Sequence, residues 1–229
     1  MKKKKLRSAE SCDYLLGEDT PFIVNEAYSA LCTNIIFSLP GESAKTIGVT
    51  SASHGDGKST VTANLAIALA KLGKRVIVLD CDLRLPTMAR KLGVKGIPGM
   101  SEMLVGEVKL GKESVQMIQN LGISVIPSGR IPPNAAKLLD SERFRMVIEV
   151  LRRHYDFILL DFPPILTVSD ALIARDSVDG YVMVARHEQS DRSELAEMIS
   201  KMQLANANPL GFVYVGAPVT ERKRYGYYK

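Results

Sequence analysis

The stretch SASHGDGKST, residues 51–60, has the composition of a loop that binds phosphate groups. Gly55 and Gly57 allow backbone N–H groups to turn inward around an anion, and Lys58 can reach the terminal groups of a polyphosphate. The helix predicted to begin near Ser59 adds its positive end, and the Ser59 hydroxyl can bind Mg²⁺. The full pattern G-x-x-x-x-G-K-[ST] is not met, because Ala52 stands at its first glycine. The predicted nucleotide-binding residues are Gly55, Asp56, Gly57, Lys58, Ser59 and Thr60.

Carboxylates follow two of the predicted strands. VIVLDCD places Asp80 and Asp82 two residues apart, so that both side chains face the same way. FILLD places Asp161 at the end of a second apolar run. Three carboxylates near one polyphosphate require Mg²⁺ between them, because like charges otherwise repel. We therefore expect a magnesium-dependent phosphate site, in which a carboxylate that the metal does not need could accept a proton from an incoming hydroxyl.

Short apolar runs alternate with helical stretches along most of the chain. The strand candidates are 46–51, 75–80, 123–127, 156–161, 180–185 and 210–215. Helices are predicted from a cap at Asn25 to Leu39, from the phosphate loop to Gly73, and over 141–154 and 191–205. Nearly continuous apolar strands separated by helices are typical of a mostly parallel sheet covered on both faces. The predicted fold is α/β, a single P-loop NTPase domain over residues 21–217.

The composition argues against several classes of protein. The 229 residues carry a net charge of +5, and the basic excess lies at the two ends of the chain. A nucleic-acid reader should carry that excess on a folded face, so no nucleic-acid partner is expected. Three cysteines without CxxC spacing argue against a disulfide framework or a zinc site. No apolar run approaches the roughly 18 residues of a membrane span, and we expect neither a membrane-spanning nor a secreted chain.

The two ends of the chain are predicted to lie outside the domain. Residues 1–20 are polar, basic and aperiodic, and are expected to be flexible. In the segment 218–229, Tyr225, Tyr227 and Tyr228 fall within the last five residues, although the whole chain has only eight tyrosines. Because Gly226 and the basic neighbours give no core-forming pattern, this tail is expected to be mobile and able to enter a neighbouring active site.

The motifs SASHGDGKST, VIVLDCDLRLP and FILLDFPP, in this order, resemble those of the bacterial tyrosine kinases of capsule and exopolysaccharide systems, the BY-kinases. The stretch IPSGRIPPNAAKLLDSERF and the tail RKRYGYYK are also similar to that family. The resemblance implies a fold related to the partition and septum-site ATPases. It also implies ATP- and Mg²⁺-dependent phosphorylation of tyrosine, including Tyr225, Tyr227 and Tyr228, and a role in regulating polysaccharide synthesis and export.

The same resemblance implies roles for the acidic and loop residues. The expected catalytic residues are Asp80, Asp82 and Lys58, with Asp80 as the base that draws the proton from tyrosine. The expected metal ligands are Ser59, Asp82 and Asp161. The choice between Asp80 and Asp82 as the base stays open.

The resemblance implies partners as well. We expect a separate membrane-spanning polysaccharide co-polymerase adaptor whose cytoplasmic end activates the kinase, a tyrosine phosphatase, and other copies of the chain. Contact with the membrane would be mainly through the adaptor. The expected location is therefore cytoplasmic, peripheral at the inner face of the cell membrane.

The sequence departs from the family pattern at several positions. BY-kinases commonly carry Glu-x-x-Arg-x-x-Arg on the helix that matches 25–38, and these residues pack ring-shaped oligomers. Here Glu26 is followed by Ser29 and Cys32, which cannot supply guanidinium contacts to a neighbour. At three further positions the family usually has Glu, Thr or Ser, and Asn, whereas this chain has Lys137, Phe162 and Val215.

Two other functions stay open at this point. The chain could be a partition-type ATPase that uses nucleotide as a switch, or a nucleotide-binding module with weak or no kinase activity. Partition ATPases place a second lysine early in the loop, at the position of Ser53 in this chain. Ser53 and the tyrosine-rich tail together favour the kinase.

Overall fold

The computed structural model describes residues 15–218, and within them a single sheet forms the centre of the molecule. The strands are β1 (Lys45–Ser51), β2 (Val76–Asp80), β3 (Gln116–Ile118), β4 (Ile123–Ile126), β5 (Phe157–Asp161), β6 (Gly180–Arg186) and β7 (Pro209–Val215). Their order across the sheet is β3-β4-β2-β5-β1-β6-β7. All neighbouring strands are parallel except the pair β3 and β4. The mostly parallel sheet expected from the sequence is confirmed.

Helices cover both faces of this sheet. They are α1 (Phe22–Ser38), α2 (Lys58–Lys71), α3 (Met88–Leu92), α4 (Met100–Val105), α5 (Ala135–Leu139), α6 (Glu142–Arg152), α7 (Asp170–Ile173) and α8 (Arg192–Leu204). Side chains of β2 alternate between two apolar clusters: Ile77 and Leu79 join one, Val76 and Val78 the other. The first cluster includes residues of α4 to α8, and the second includes residues of α1, α2 and α3. The central strands are therefore apolar on both faces.

The largest difference from the predicted elements is at the edge of the sheet. β3 was not predicted, because it has only three residues and its middle side chain, Met117, is 70% exposed. Such a short, half-exposed strand has neither the length nor the apolar run by which strands are recognised.

The start of α1 also differs from the prediction. The helix begins at Phe22, after Pro21, and Asn25 lies inside it. Asn25 is therefore not the N-cap: its side-chain amide donates to the carbonyl oxygen of Thr20 at 3.0 Å. By contrast, Ser141 caps α6 and Asp191 caps α8, each side chain accepting a backbone N–H of the first turn.

The residues just before α1 belong to the folded domain. Leu16 is 3% exposed, and its N–H donates to Oδ1 of Asn64 on α2 at 2.9 Å. The loose segment predicted over 1–20 therefore does not extend to residue 20, because one apolar side chain and one hydrogen bond fix this stretch to α2. The rest of that segment, residues 1–14, and the tyrosines of the tail lie outside the described residues. Within 15–218, no helix combines the length and apolar character needed to cross a bilayer.

Candidate active site

The phosphate-loop residues lie between the end of β1 and the start of α2. Gly55 and Gly57 have φ values of +88° and +96°, in the left-handed region that favours glycine. Gly57 is the N-cap of α2, so Lys58, Ser59 and Thr60 form its first turn. The N–H groups of a first turn have no acceptor within their own helix and are free to bind an anion. The loop therefore has the backbone geometry that the sequence predicted.

Asp56, which was predicted to contact nucleotide, has a carboxylate that faces the protein. It is 1% exposed, and it accepts the N–H of Ser53 at 3.2 Å and the hydroxyl of Ser190 at 3.0 Å. Only its backbone N–H remains for a phosphate. The side chain instead stabilises the conformation of the phosphate loop through these two hydrogen bonds.

Side chains from the end of β6 and the start of α8 form hydrogen bonds to the phosphate loop. Arg186 donates from Nη1 to the carbonyl oxygen of Gly55 at 3.1 Å, and Ser53 donates its hydroxyl to Oε2 of Glu194 at 3.1 Å. Sequence reasoning missed Arg186, Ser190 and Glu194. They are more than 130 positions away from the loop, and no local pattern marks them.

Asp80 and Asp161 lie opposite each other on adjacent strands, and both are fully buried. The oxygens of Asp80 accept the backbone N–H groups of Asp82 and Met88, each at 3.2 Å. Burial, and after it the charge of Asp161, raises the pKa of Asp80 well above its usual value. Asp80 is thus a fully buried carboxyl group at the end of β2, and both of its oxygens accept backbone N–H groups.

Asp161 has a different environment, although it is equally buried. Its Oδ1 accepts the hydroxyl of Thr62 on α2 at 3.2 Å. Burial raises the pKa of Asp161 to about 6, and the positive charge of Lys58 opposes part of that rise. Lys58 and the Thr62 hydroxyl thus favour the ionised form of Asp161, against the effect of burial.

Lys58 and Asp82 form an ion pair at the edge of the sheet. Nζ of Lys58 lies 3.1 Å from Oδ2 of Asp82, and the two side chains are 12% and 3% exposed. Oδ1 of Asp82 accepts the N–H of Leu85 at 3.0 Å. The pair brings the loop lysine into contact with one of the three predicted carboxylates.

The donor set fits Mg²⁺ shared with phosphate. Oδ2 of Asp161 is buried and has no hydrogen-bond partner in the described part of the chain. Ser59 lies three residues before Thr62 on the same face of α2, and its hydroxyl accepts that of Thr87 at 3.1 Å. Among residues 15–218, no group of three His, Cys, Asp or Glu side chains could hold a metal ion by itself. Mg²⁺ commonly takes one or two carboxylates and completes its shell with phosphate and water, which agrees with this arrangement.

Comparison with known proteins shows what kind of domain carries this site. A family model described as an AAA domain matches residues 44–209. Tyrosine-protein kinase YwqD of Bacillus subtilis (strain 168) is 33% identical over 204 residues, which are 89% of this chain and 86% of that protein. The chain belongs to the family of bacterial tyrosine-protein kinases.

Solved structures of a tyrosine kinase domain and of a septum-site ATPase share the fold of this chain. The kinase domain of the Escherichia coli tyrosine kinase ETK superposes with a TM-score of 0.82 at 29% identity, covering 93% of this chain and 87% of that one. The septum site-determining protein MinD complexed with Mg-ADP, from Pyrococcus horikoshii OT3, has a TM-score of 0.64 at 29% identity, covering 77% and 72%. The predicted relation to septum-site ATPases is therefore confirmed for the fold.

Two departures from the family pattern have structural explanations in this kinase-family domain. Phe162, which stands where the family usually has Thr or Ser, is fully buried, and its ring lies 6.3 Å from that of Tyr181. Its side chain fills the apolar core, so it does not face the phosphate loop. Val215 ends β7 close to that loop, and its Cγ1 is 3.7 Å from where a Cβ on Gly57 would lie. At the position where the family usually has Asn, this chain therefore has an apolar side chain beside the phosphate loop.

The positions of the ring arginines differ from each other in the structure. Ser29 is exposed on α1, whereas Cys32 is fully buried between α1 and α2. A side chain at position 32 therefore contacts the core of the same chain and is not available to a neighbour. Lys137 is exposed on α5.

Proposed function

We propose that this chain is an ATP- and Mg²⁺-dependent protein tyrosine kinase that phosphorylates its own C-terminal tyrosines, Tyr225, Tyr227 and Tyr228. The observation that carries the proposal is the meeting of the loop lysine with the strand-end carboxylates: Lys58 pairs with Asp82, and Asp161 lies on the next strand with a free oxygen. Membership of the tyrosine-kinase family supplies the reaction class.

The loop binds and orients the triphosphate in this proposal. The N–H groups around Gly55 and Gly57 and the ammonium of Lys58 neutralise its charge, and Ser59, Asp82 and Asp161 would hold Mg²⁺. When bound, the metal supplies further neutralisation of the phosphate oxygens. Because phosphoryl transfer depends mainly on positioning and charge neutralisation, Lys58 should be indispensable.

Proton removal is assigned to Asp80. The phenol oxygen bonds to the γ-phosphorus as the bond to the β–γ bridging oxygen breaks, ADP leaves, and the phenol proton passes to the carboxylate. The raised pKa of Asp80 makes its ionised form a stronger proton acceptor than an ordinary aspartate. Asp82 stays the alternative base: its Oδ2 is paired with Lys58, while both oxygens of Asp80 accept backbone N–H groups.

The substrate tyrosines follow β7 on the same chain. β7 ends at Val215 beside the phosphate loop, and ten positions separate Val215 from Tyr225. Ten extended residues span at most about 35 Å. We propose transfer between copies, so the rate of tail phosphorylation per molecule should rise with protein concentration.

The proposal extends to partners and place of action. We infer from the family resemblance that a membrane-spanning polysaccharide co-polymerase adaptor recruits and activates the kinase at the inner face of the cell membrane. A tyrosine phosphatase would reverse the modification. Each phosphate adds a charge of roughly −1.5 to −2. Phosphorylation of all three tyrosines would therefore reverse the sign of a tail that begins basic, and weaken its attraction to anionic surfaces.

The test is incubation of the purified chain with Mg²⁺ and ATP, followed by mapping of phosphate by mass spectrometry. We expect phosphate on Tyr225, Tyr227 or Tyr228, and none in Lys58→Met. Lys71→Met, an exposed lysine at the other end of α2, is the matched control and should be phosphorylated normally.

Two results would favour the other functions. Brisk ATP hydrolysis with an unmodified tail would indicate a partition-type switch. Nucleotide binding with neither reaction, even when the cytoplasmic segment of an adaptor is added, would indicate a binding module. The present structure favours the kinase over the switch, because Ser53 donates its hydroxyl to Glu194 where the partition ATPases place a lysine.

A further inference from the structure

A second lysine, Lys91 on α3, reaches the first turn of α2. Its Nζ donates to Oγ1 of Thr60 at 2.9 Å. On the same segment, Thr87 donates its hydroxyl to that of Ser59 at 3.1 Å. The chain after β2 therefore binds both hydroxyl side chains that follow Lys58 in the first turn of α2.

Lys91 has no counter-ion in the described part of the chain. No carboxylate there lies within 4.0 Å of its Nζ, whereas Lys58 is paired with Asp82 at 3.1 Å. Lys91 is half-buried, and that burial lowers its pKa, while the charge of Asp161 acts in the opposite direction. A cation that is partly removed from water and bound only to a hydroxyl is stabilised strongly when an anion arrives.

The helix end beneath Lys91 is the place where an anion is expected. Thr60 is the third residue of α2, so its N–H belongs to the group that has no intrahelical acceptor. An ammonium group has three donors, and the bond to Thr60 uses one of them. Two donors of Lys91 are thus available beside the N–H groups of the same turn.

We propose that Lys91 is a second phosphate-binding lysine of the nucleotide site. This inference rests on the proposed nucleotide site and adds to it a residue outside the loop motif. Lys58 comes first in α2 and serves the terminal phosphates, as in other P-loops. Lys91 is held at Thr60, two residues further into the helix, and therefore contacts the phosphates nearer the nucleoside.

The inference makes a specific prediction about affinity. Removing a charged hydrogen bond to phosphate weakens binding by about tenfold or more. Since the proposed contact does not involve the terminal phosphate of ATP, Lys91→Met should lower the affinities for ADP and for ATP by the same factor. Lys91→Arg keeps the cation and should stay within about threefold of the wild type.

The experiment is titration of the full chain with a fluorescent ADP in Mg²⁺, and with ATP as competitor, for the wild type, Lys91→Met and Lys91→Arg. Arg90→Met is the matched control, because Arg90 is the neighbouring cation on α3 and is exposed. It should bind like the wild type. The melting temperature of each ligand-free variant is measured in parallel.

Two outcomes would overturn the inference. One is wild-type affinity of Lys91→Met for both nucleotides. The other is an equal loss of affinity in Lys91→Met and Lys91→Arg, together with lowered melting temperatures, which would make Lys91 a tether between α3 and α2. Failure of the wild type to bind ADP would overturn the nucleotide site itself. A wild type that binds while Lys91→Met is unchanged would overturn only the role of Lys91.

Discussion

The ammonium of Lys58 lies 3.1 Å from Oδ2 of Asp82. The lysine that should neutralise phosphate is therefore already neutralised by a carboxylate, and a nucleotide must compete for it. Both side chains are largely buried, so solvent screens the pair only partly. The pair holds Lys58 in place until a polyphosphate arrives.

Asp82→Asn should separate two effects of this pair. Without Mg²⁺, the variant should bind ADP about three- to tenfold more tightly, because Lys58 is released and a negative charge is removed. With Mg²⁺, phosphoryl transfer should fall by about 10²-fold or more, the scale of losing one catalytic group. ADP titration in EDTA and transfer of labelled phosphate from ATP measure the two quantities. Asp140→Asn, at a carboxylate that is 67% exposed, is the control. Unchanged ADP affinity of Asp82→Asn in EDTA would refute the competition.

The stability of the metal-free protein should depend on Asp161. Its pKa is about 6 in the folded chain against the usual 3.8, so between these values the folded state binds more protons than the unfolded state. The contribution of Asp161 to stability is therefore full below pH 3.8 and is lost as the pH rises through 6. The raised pKa of Asp80 acts in the same direction.

Asp161→Asn should consequently melt higher than the wild type at pH 7.5 in EDTA, while losing kinase activity. The increase should be a few degrees, since roughly 1 kcal/mol shifts Tm by about 2–4 °C in a chain of this size. The difference should shrink as the pH falls toward 4. Calorimetry in EDTA across this range is the measurement. A variant that melts lower than the wild type by the same amount at every pH would contradict the assignment.

Arginine should be tolerated at position 29 but not at position 32. The family pattern has arginine at both positions, where it packs ring-shaped oligomers, but Cys32 is fully buried in this chain. Cys32→Arg would bury an unpaired charge and should cost about 3 kcal/mol or more of unfolding free energy, against about 0.5 or less for Ser29→Arg. Denaturant unfolding measures both, and Cys32→Ala controls for loss of the thiol. A stable Cys32→Arg that scatters light as a larger assembly would show that an arginine at position 32 can contact a neighbouring copy.

Gly57→Ala and Gly73→Ala should separate loop geometry from stability. Both glycines have positive φ, +96° and +77°, and neither has a neighbour closer than 3.7 Å to an added Cβ. Alanine should cost each about 1–2 kcal/mol of backbone strain. Only Gly57→Ala should also lose nucleotide affinity, because the N–H groups of the phosphate loop would be redirected. Thermal unfolding and ADP titration of both variants test this, and equal affinities would show that the loop tolerates the change.

Much of the fold could be predicted because its signals are local. The apolar runs of the six longer strands and the glycine-rich loop occupy consecutive residues, and the structure places them within about one position of the predicted limits. β3 could not be found, since three half-exposed residues give no periodicity. The error at Asn25 has a similar cause: Asn is a good cap by type, but α1 already begins at Phe22, after Pro21.

The site was predictable in its parts but not in its contacts. Residue types and spacing predict that Lys58 binds phosphate and that Asp161 binds the metal. That Asp56 faces Ser190, or that Lys91 binds Thr60, depends on residues 134 and 31 positions apart that only the packing of α2, α3 and α8 brings together.

By itself, the sequence determined the alternation of strands and helices, the turn that needs two glycines, and the acidic ends of β2 and β5. Each of these follows from the conformational preferences of neighbouring residues. Only the tertiary structure decided which carboxylates are buried, which cation is paired and which is not, and on which side of α1 Cys32 lies. Burial and charge pairing are properties of the whole packed chain, because they depend on what surrounds a group from every direction.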